Sequence, residues 1–105
     1  MAVLQRINQA SADRHDQMTE RLYQEWHAPQ PGEGEPFIIE ESPRLGGWPN
    51  HLYVIWSEWS DLSPLERSRM ILQAYRQHHG LERTMIVTLA MGLTPDEARL
   101  MKIEF

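Results

Sequence analysis

The chain has 105 residues, of which 41% are apolar and 24% are charged, and its formal net charge is −5. These values are typical of a single globular domain, and the lack of cysteine excludes disulfides, thiolate nucleophiles and cysteine-ligated metals within the chain. No apolar run approaches the roughly 20 residues that cross a bilayer, and overall acidity disfavours non-specific binding to nucleic acid. Because the first residues lack the features of a signal peptide, we expect a cytoplasmic protein without membrane contact.

The first predicted element is a helix that ends near residue 27. Met18, Leu22 and Trp26 are four residues apart and therefore share one helix face. Ser11 is a suitable N-cap, so we expect a helix over 12–27 after a loose lead-in over 1–10. The segment 28–36 contains three prolines and two glycines, which interrupt helices and strands alike, so it is expected to be a linker.

Three β-rich runs predict strands over 37–41, 52–57 and 85–90. The second run is Leu-Tyr-Val-Ile-Trp at 52–56, and its lack of polar alternation indicates a central strand. Between the first two strands, the segment 42–50 is rich in glycine and proline and is expected to form a loop.

Two capping motifs predict the remaining helices. Ser-Pro-Leu-Glu at 63–66 favours a helix over 64–79 that stops at Gly80, and Thr-Pro-Asp-Glu at 94–97 favours one over 95–102. The loop-joined first and second strands are expected to be antiparallel, and the third strand, which follows a helix, can run parallel. The sequence therefore predicts one α+β domain over 1–105, a three-stranded mixed sheet with helices packed on one face.

Residues able to perform catalysis or bind metal do not converge in the sequence pattern. The five histidines are His15, His27, His51, His78 and His79. The last two are adjacent on the predicted helix, so their side chains diverge and suit the helix C-terminus better than a metal. Glu40 and Glu41 are consecutive on a strand and point to opposite faces. We expect no catalytic residue, no metal site and no cofactor.

The helix over 64–79 begins the most basic stretch of this acidic chain, since six potential cations lie within 67–83. Arg67, Arg69 and Arg76 are the candidate residues for binding nucleic acid. The alternative interpretation is an ordinary charged helix face whose arginines pair with neighbouring glutamates. No Gly-x-x-Gly loop of the KH type accompanies them.

A tryptophan in the glycine- and proline-rich loop is the candidate contact residue. Trp48 has no evident structural duty there, and an exposed tryptophan beside an arginine is typical of protein interfaces. The alternative is that the loop folds back and places Trp48 over the core. We expect a protein partner to contact 44–51, through Arg44, Trp48 and His51.

Four short motifs also occur in a recognisable order. They are Glu-Glu-Ser at 40–42, His-Leu-Tyr-Val-Ile at 51–55, Arg-Ser-Arg-Met-Ile at 67–71 and Thr-Pro-Asp-Glu at 94–97. Together they resemble the BolA family, which has Asp-Glu-Ser, Arg-His-Arg and Thr-Pro-Glu-Glu at similar places and a fold like that of class II KH domains. The resemblance covers about residues 18–98 and implies a non-enzymatic interaction or regulatory module.

The resemblance further implies an iron–sulfur cluster shared with a monothiol glutaredoxin, but the corresponding ligand positions differ here. The family's histidine at the start of the last strand falls on Ile86, and the loop at 43–48 has neither histidine nor cysteine. The histidine of Arg-His-Arg is Ser68. We therefore expect the fold without cluster ligation. The alternative functions are a nucleic-acid-binding module using the basic helix face and, third, a small enzyme or iron–sulfur partner.

Overall fold

A computed structural model of the chain describes residues 2–28, 34–44 and 46–105, with side chains from residue 14 onward. Its elements in chain order are α1 (Ala2–His27), β1 (Phe37–Glu41), β2 (His51–Ile55), a 3₁₀ turn (Ser57–Asp61), α2 (Pro64–His79), α3 (Leu81–Thr84), β3 (Leu89–Leu93) and α4 (Pro95–Leu100). The predicted α+β class is confirmed.

The sheet has the strand order β1-β2-β3, with β2 in the centre. β1 runs antiparallel to β2, with Phe37 opposite Ile55. β3 runs parallel to β2, with His51 opposite Leu89, and α2 lies in the connection between them. The predicted mixed sheet is therefore confirmed.

Alternate residues of β2 separate two apolar clusters. Leu52 and Val54 face α1 and α2 in the main core, whose other buried members are Met18, Leu22, Trp26, Trp56, Trp59, Leu62, Met70, Ile71, Ala74 and Tyr75. On the opposite face, Ile55 and Leu93 pack against Ala98 of α4. The long helices thus cover one face, as predicted, and the short α4 covers one end of the other.

The third strand begins four residues later than predicted. Residues 81–86 form α3 and a following turn, in which Met85 N–H donates to the Leu81 carbonyl and Ile86 N–H to the Arg83 carbonyl. The prediction of a strand over 85–90 is wrong for its first four residues, because local helical hydrogen bonds outweigh the β propensity of Met-Ile-Val. The observed strand pairs with the whole length of β2.

Other boundaries differ at the chain's ends and turns. Residues 2–10, predicted to be a loose lead-in, are the first turns of α1, since no proline or glycine interrupts them. Met1 and, within the predicted linker, residues 29–33 lie outside the described part. β2 stops at Ile55 because the 3₁₀ turn follows, and α4 ends at Leu100 rather than 102.

Candidate contact surface around Trp48

A tight turn in the loop between β1 and β2 presents Trp48. Gly47 N–H donates to the Arg44 carbonyl at 3.0 Å, and a Cβ at Gly47 would meet that oxygen at 3.3 Å. Gly46 has a φ of 78°, the left-handed region that favours glycine. The two glycines therefore permit the turn that precedes Trp48, and Arg44 and Trp48 line the same recess.

Trp48 lies at a surface recess rather than in the core. Its side chain is 43% exposed, and Ile86, 40% exposed, lines the same recess of about 240 Å³. The guanidinium carbon of Arg83 lies 5.3 Å from the Trp48 ring centroid, a cation–π contact. We call this region the Trp48 surface, and it comprises Pro43, Arg44, Gly47, Trp48, Arg83 and Ile86.

Arg83 connects the Trp48 surface to a buried polar cluster. Its Nε, the Tyr75 hydroxyl and the His79 Nε2 are all buried and have no hydrogen-bond partner among the described residues. Burial raises the pKa of Tyr75, and burial together with the nearby Arg83 charge lowers the pKa of His79. Both shifts favour the neutral forms of Tyr75 and His79, so neither of these two groups adds a charge beside the Arg83 guanidinium.

His51, predicted to share a contact surface with Arg44 and Trp48, lies outside the recess that those two residues line. It is the first residue of β2, and its side chain points to the sheet face opposite α1 and α2. There its Nδ1 lies 2.8 Å from the Glu41 Oε1, and its ring meets the edge of Tyr53. The structure thus brings Arg44 and Trp48 together, while His51 is not among the residues that line the recess.

Arg67 requires a correction, because it is buried and does not belong to an exposed basic face. Its side chain is only 7% exposed. Nε donates to the Leu62 carbonyl at 2.9 Å, and Nη1 donates to the Gly92 carbonyl at 3.2 Å and to Glu97 Oε1 at 2.6 Å. Arg67 therefore ties α2 to β3 and α4 and is inaccessible to a nucleic-acid phosphate.

Only two arginines of α2 remain exposed as candidates for binding nucleic acid. Arg69 and Arg76 are exposed, but Arg69 borders a recess that also contains the carboxylates of Asp16 and Glu66. His78 packs edge-on against His27 at a centroid distance of 5.7 Å. The candidate nucleic-acid face is thus reduced from three arginines to two, one of which has acidic neighbours.

Sequence reasoning did not place Arg83 and Ile86 beside Trp48. The sequence predicts a strand over 85–90, whereas α3 and the turn after it place these two side chains beside the loop. One signal did connect them: the resemblance assigned the loop at 43–48 and position 86 to a single ligand site. The structure brings those positions together around one recess.

Within residues 14–28, 34–44 and 46–105, no group of three histidine or carboxylate side chains could hold a metal ion. Of the helices in the described part, none is long and apolar enough to cross a membrane.

No protein-family model, characterised protein or solved structure matches the chain.

Proposed function

We propose that this chain is a non-enzymatic protein-interaction module of BolA-like type and that the Trp48 surface contacts its partner. The observation that carries this proposal is that three tryptophans are buried and the fourth is exposed. Trp26, Trp56 and Trp59 are buried in the main core, whereas Trp48 is held beside the exposed Ile86. An aromatic and an aliphatic side chain exposed together, next to arginine, have the composition of interface hot spots.

The architecture supports the BolA-like part of the proposal. The strands pair in the antiparallel-then-parallel order that the connections between them predict, and this order is compatible with a BolA-like fold. The recess lies where the resemblance implies cluster ligands, yet its lining offers an indole, a guanidinium and aliphatic carbons instead of thiolates or imidazoles. Such groups suit a protein contact better than iron ligation.

Paired variants test whether the Trp48 surface is the interface. Affinity capture from the source cell is compared for the unmodified chain, Trp48→Ala and Leu65→Ala, each with and without nuclease treatment. Leu65 is an exposed apolar residue on α2 and serves as the matched control. A hot-spot role predicts that Trp48→Ala weakens capture of a specific protein by about 2 kcal/mol or more.

The controls define the outcomes of that experiment. Leu65→Ala should retain the partner, because it removes exposed apolar area elsewhere. If Trp48→Ala captures the same proteins with the same affinity, the proposal is wrong. If all capture disappears with nuclease, the alternative of nucleic-acid binding replaces it.

A further inference from the structure

We infer that the Trp48 surface accepts an acidic segment of the partner protein, with an apolar side chain in the recess and carboxylates at the two arginines. This inference rests on the proposed function and adds the chemistry of the partner. It comes from the charge of the surface, the size of the recess and the character of its walls.

The charge of the surface is opposite to that of the whole chain. The net charge is −5, yet the Trp48 surface contains Arg44 and Arg83 and no carboxylate. Among the described side chains, the ion pairs are made by four other arginines and by two histidines, and neither Arg44 nor Arg83 takes part. A local cationic surface on an acidic protein repels other acidic segments less than the surrounding surface does and attracts them at short range.

The size of the recess favours one side chain over a whole small molecule. Its volume of about 240 Å³ is below the roughly 300 to 1,000 Å³ of ordinary small-molecule sites. Trp48 and Ile86 supply apolar walls, and the neighbouring Met85 is 76% exposed. An apolar side chain of the partner therefore gains contact on several sides, and flanking carboxylates reach the arginines.

The same features favour protein over single-stranded nucleic acid. A stacking platform for bases needs an accessible ring face and several cations along the backbone path. Here Arg83 already lies over the Trp48 ring, and the adjoining exposed residues Met85 and Ile86 are apolar rather than cationic. Because the Trp48 surface has only two arginines and the chain as a whole is acidic, phosphate neutralisation contributes little there.

Designed peptides test the inference without knowledge of the natural partner. Three short synthetic peptides have leucine and phenylalanine at the same positions. All their remaining positions are glutamate in the first peptide, glutamine in the second and lysine in the third. Each is titrated into isotopically labelled protein while the indole N–H signal of Trp48, assigned with Trp48→Phe, is followed by NMR. The glutamate peptide should bind about tenfold or more tightly than the glutamine peptide, and the lysine peptide should not shift the signal.

Charge-matched variants locate the effect. Arg44→Gln/Arg83→Gln should abolish the preference for the glutamate peptide, whereas Arg69→Gln/Arg76→Gln, with the same change in net charge, should retain it. Because Arg83 is partly buried, Arg44→Gln alone is measured as well and should lower the preference. Retention of the full preference in both Arg44 variants would overturn the inference.

The remaining outcomes separate the inference from the proposed function. Equal binding of the glutamate and glutamine peptides at Trp48 overturns the acidic partner but keeps an interaction surface. Failure of every peptide to shift the Trp48 signal overturns both. If oligo-dT binds at this signal more tightly than the glutamate peptide, the inference is overturned in favour of nucleic acid. If raising the protein concentration alone shifts the signal, it is overturned in favour of a second copy of the chain.

Discussion

Arg67 and Glu97 form a half-buried ion pair on which three elements depend. The Arg67 guanidinium also holds carbonyls of Leu62 and Gly92, so it has partners in the 3₁₀–α2 connection, in β3 and in α4. Glu97 in turn accepts from Thr94 N–H at 2.8 Å and completes the capping box of α4. A single carboxylate thus caps a helix and neutralises a buried cation.

Glu97→Gln is expected to destabilise the fold by about 1 to 2 kcal/mol, because it leaves the buried Arg67 charge uncompensated while keeping most of the volume. The Thr94 N–H bond first, and Arg67 next, lower the pKa of Glu97 below its ordinary value of 4.5. The pair therefore stabilises the fold above about pH 4.5, and this contribution is lost as the pH falls through the lowered folded-state pKa.

Chemical denaturation at several pH values checks this prediction. Glu97→Gln should lose part of the acid-dependent decline seen in the unmodified protein. Asp96→Asn is the control, because its ion pair with Arg99 is exposed, and its effect should stay within about 0.5 kcal/mol. Equal effects of the two variants would contradict the role given to Glu97.

Trp48 and Trp59 provide a second contrast between single residues. Trp59 is fully buried and its Nε1 donates to the Val54 carbonyl at 3.0 Å, so Trp59→Ala should cost about 3 to 5 kcal/mol. Trp48→Ala removes an exposed ring and one cation–π contact, and should cost about 1 kcal/mol or less. Thermal unfolding of both variants tests this. If Trp48→Ala lowers the melting temperature as much as Trp59→Ala does, Trp48 contributes to the core and the exposed-ring interpretation is wrong.

At the scale of elements, the starts of α2 and α4 were predictable, whereas the starts of α1 and β3 were not. Ser63 accepts from Glu66 N–H and Thr94 from Glu97 N–H, as the two capping motifs predict, because every atom involved lies within four residues. The start of β3 depends instead on pairing with β2, almost forty residues earlier in the chain. The burial of Arg67 likewise depends on Glu97, thirty residues away, so no local pattern reveals it.

Gly92 shows what packing requires of β3. A Cβ at this position would lie 2.8 Å from the Arg67 Cβ and 3.0 Å from atoms of the Trp59 ring. Gly92→Ala should therefore destabilise the fold by about 1 to 3 kcal/mol through overpacking, although alanine suits strands at least as well as glycine. Gly34→Ala is the control, since a Cβ at that position would have no atom within 4 Å. If denaturation midpoints of the two variants agree, this close approach is not a constraint.

At the scale of the whole molecule, α1 and α2 cover one face of the sheet, and the loop that joins β1 to β2 contributes Trp48 to the Trp48 surface. The loop side of this surface could be predicted, because glycine, proline, arginine and tryptophan adjoin in the sequence. Its other side, with Arg83 and Ile86, exists only once α3 has turned the chain after α2. The candidate surface is therefore a product of the topology as well as of the loop.

The final prediction is that this chain does not share a [2Fe–2S] cluster with a monothiol glutaredoxin in the manner that the BolA resemblance implies. Cluster iron needs thiolate or imidazole donors, and the recess formed by the loop at 43–48 and Ile86 is lined by indole, guanidinium and aliphatic groups. Reconstitution of the glutaredoxin cluster in the presence of this chain should give the absorption spectrum of the glutaredoxin homodimer alone. The prediction fails if a heterodimer with a distinct spectrum forms and if substituting one of this chain's five histidines removes the difference. Substitution of each histidine in turn is the appropriate series, because the chain has no cysteine and imidazole is the remaining donor typical of such clusters.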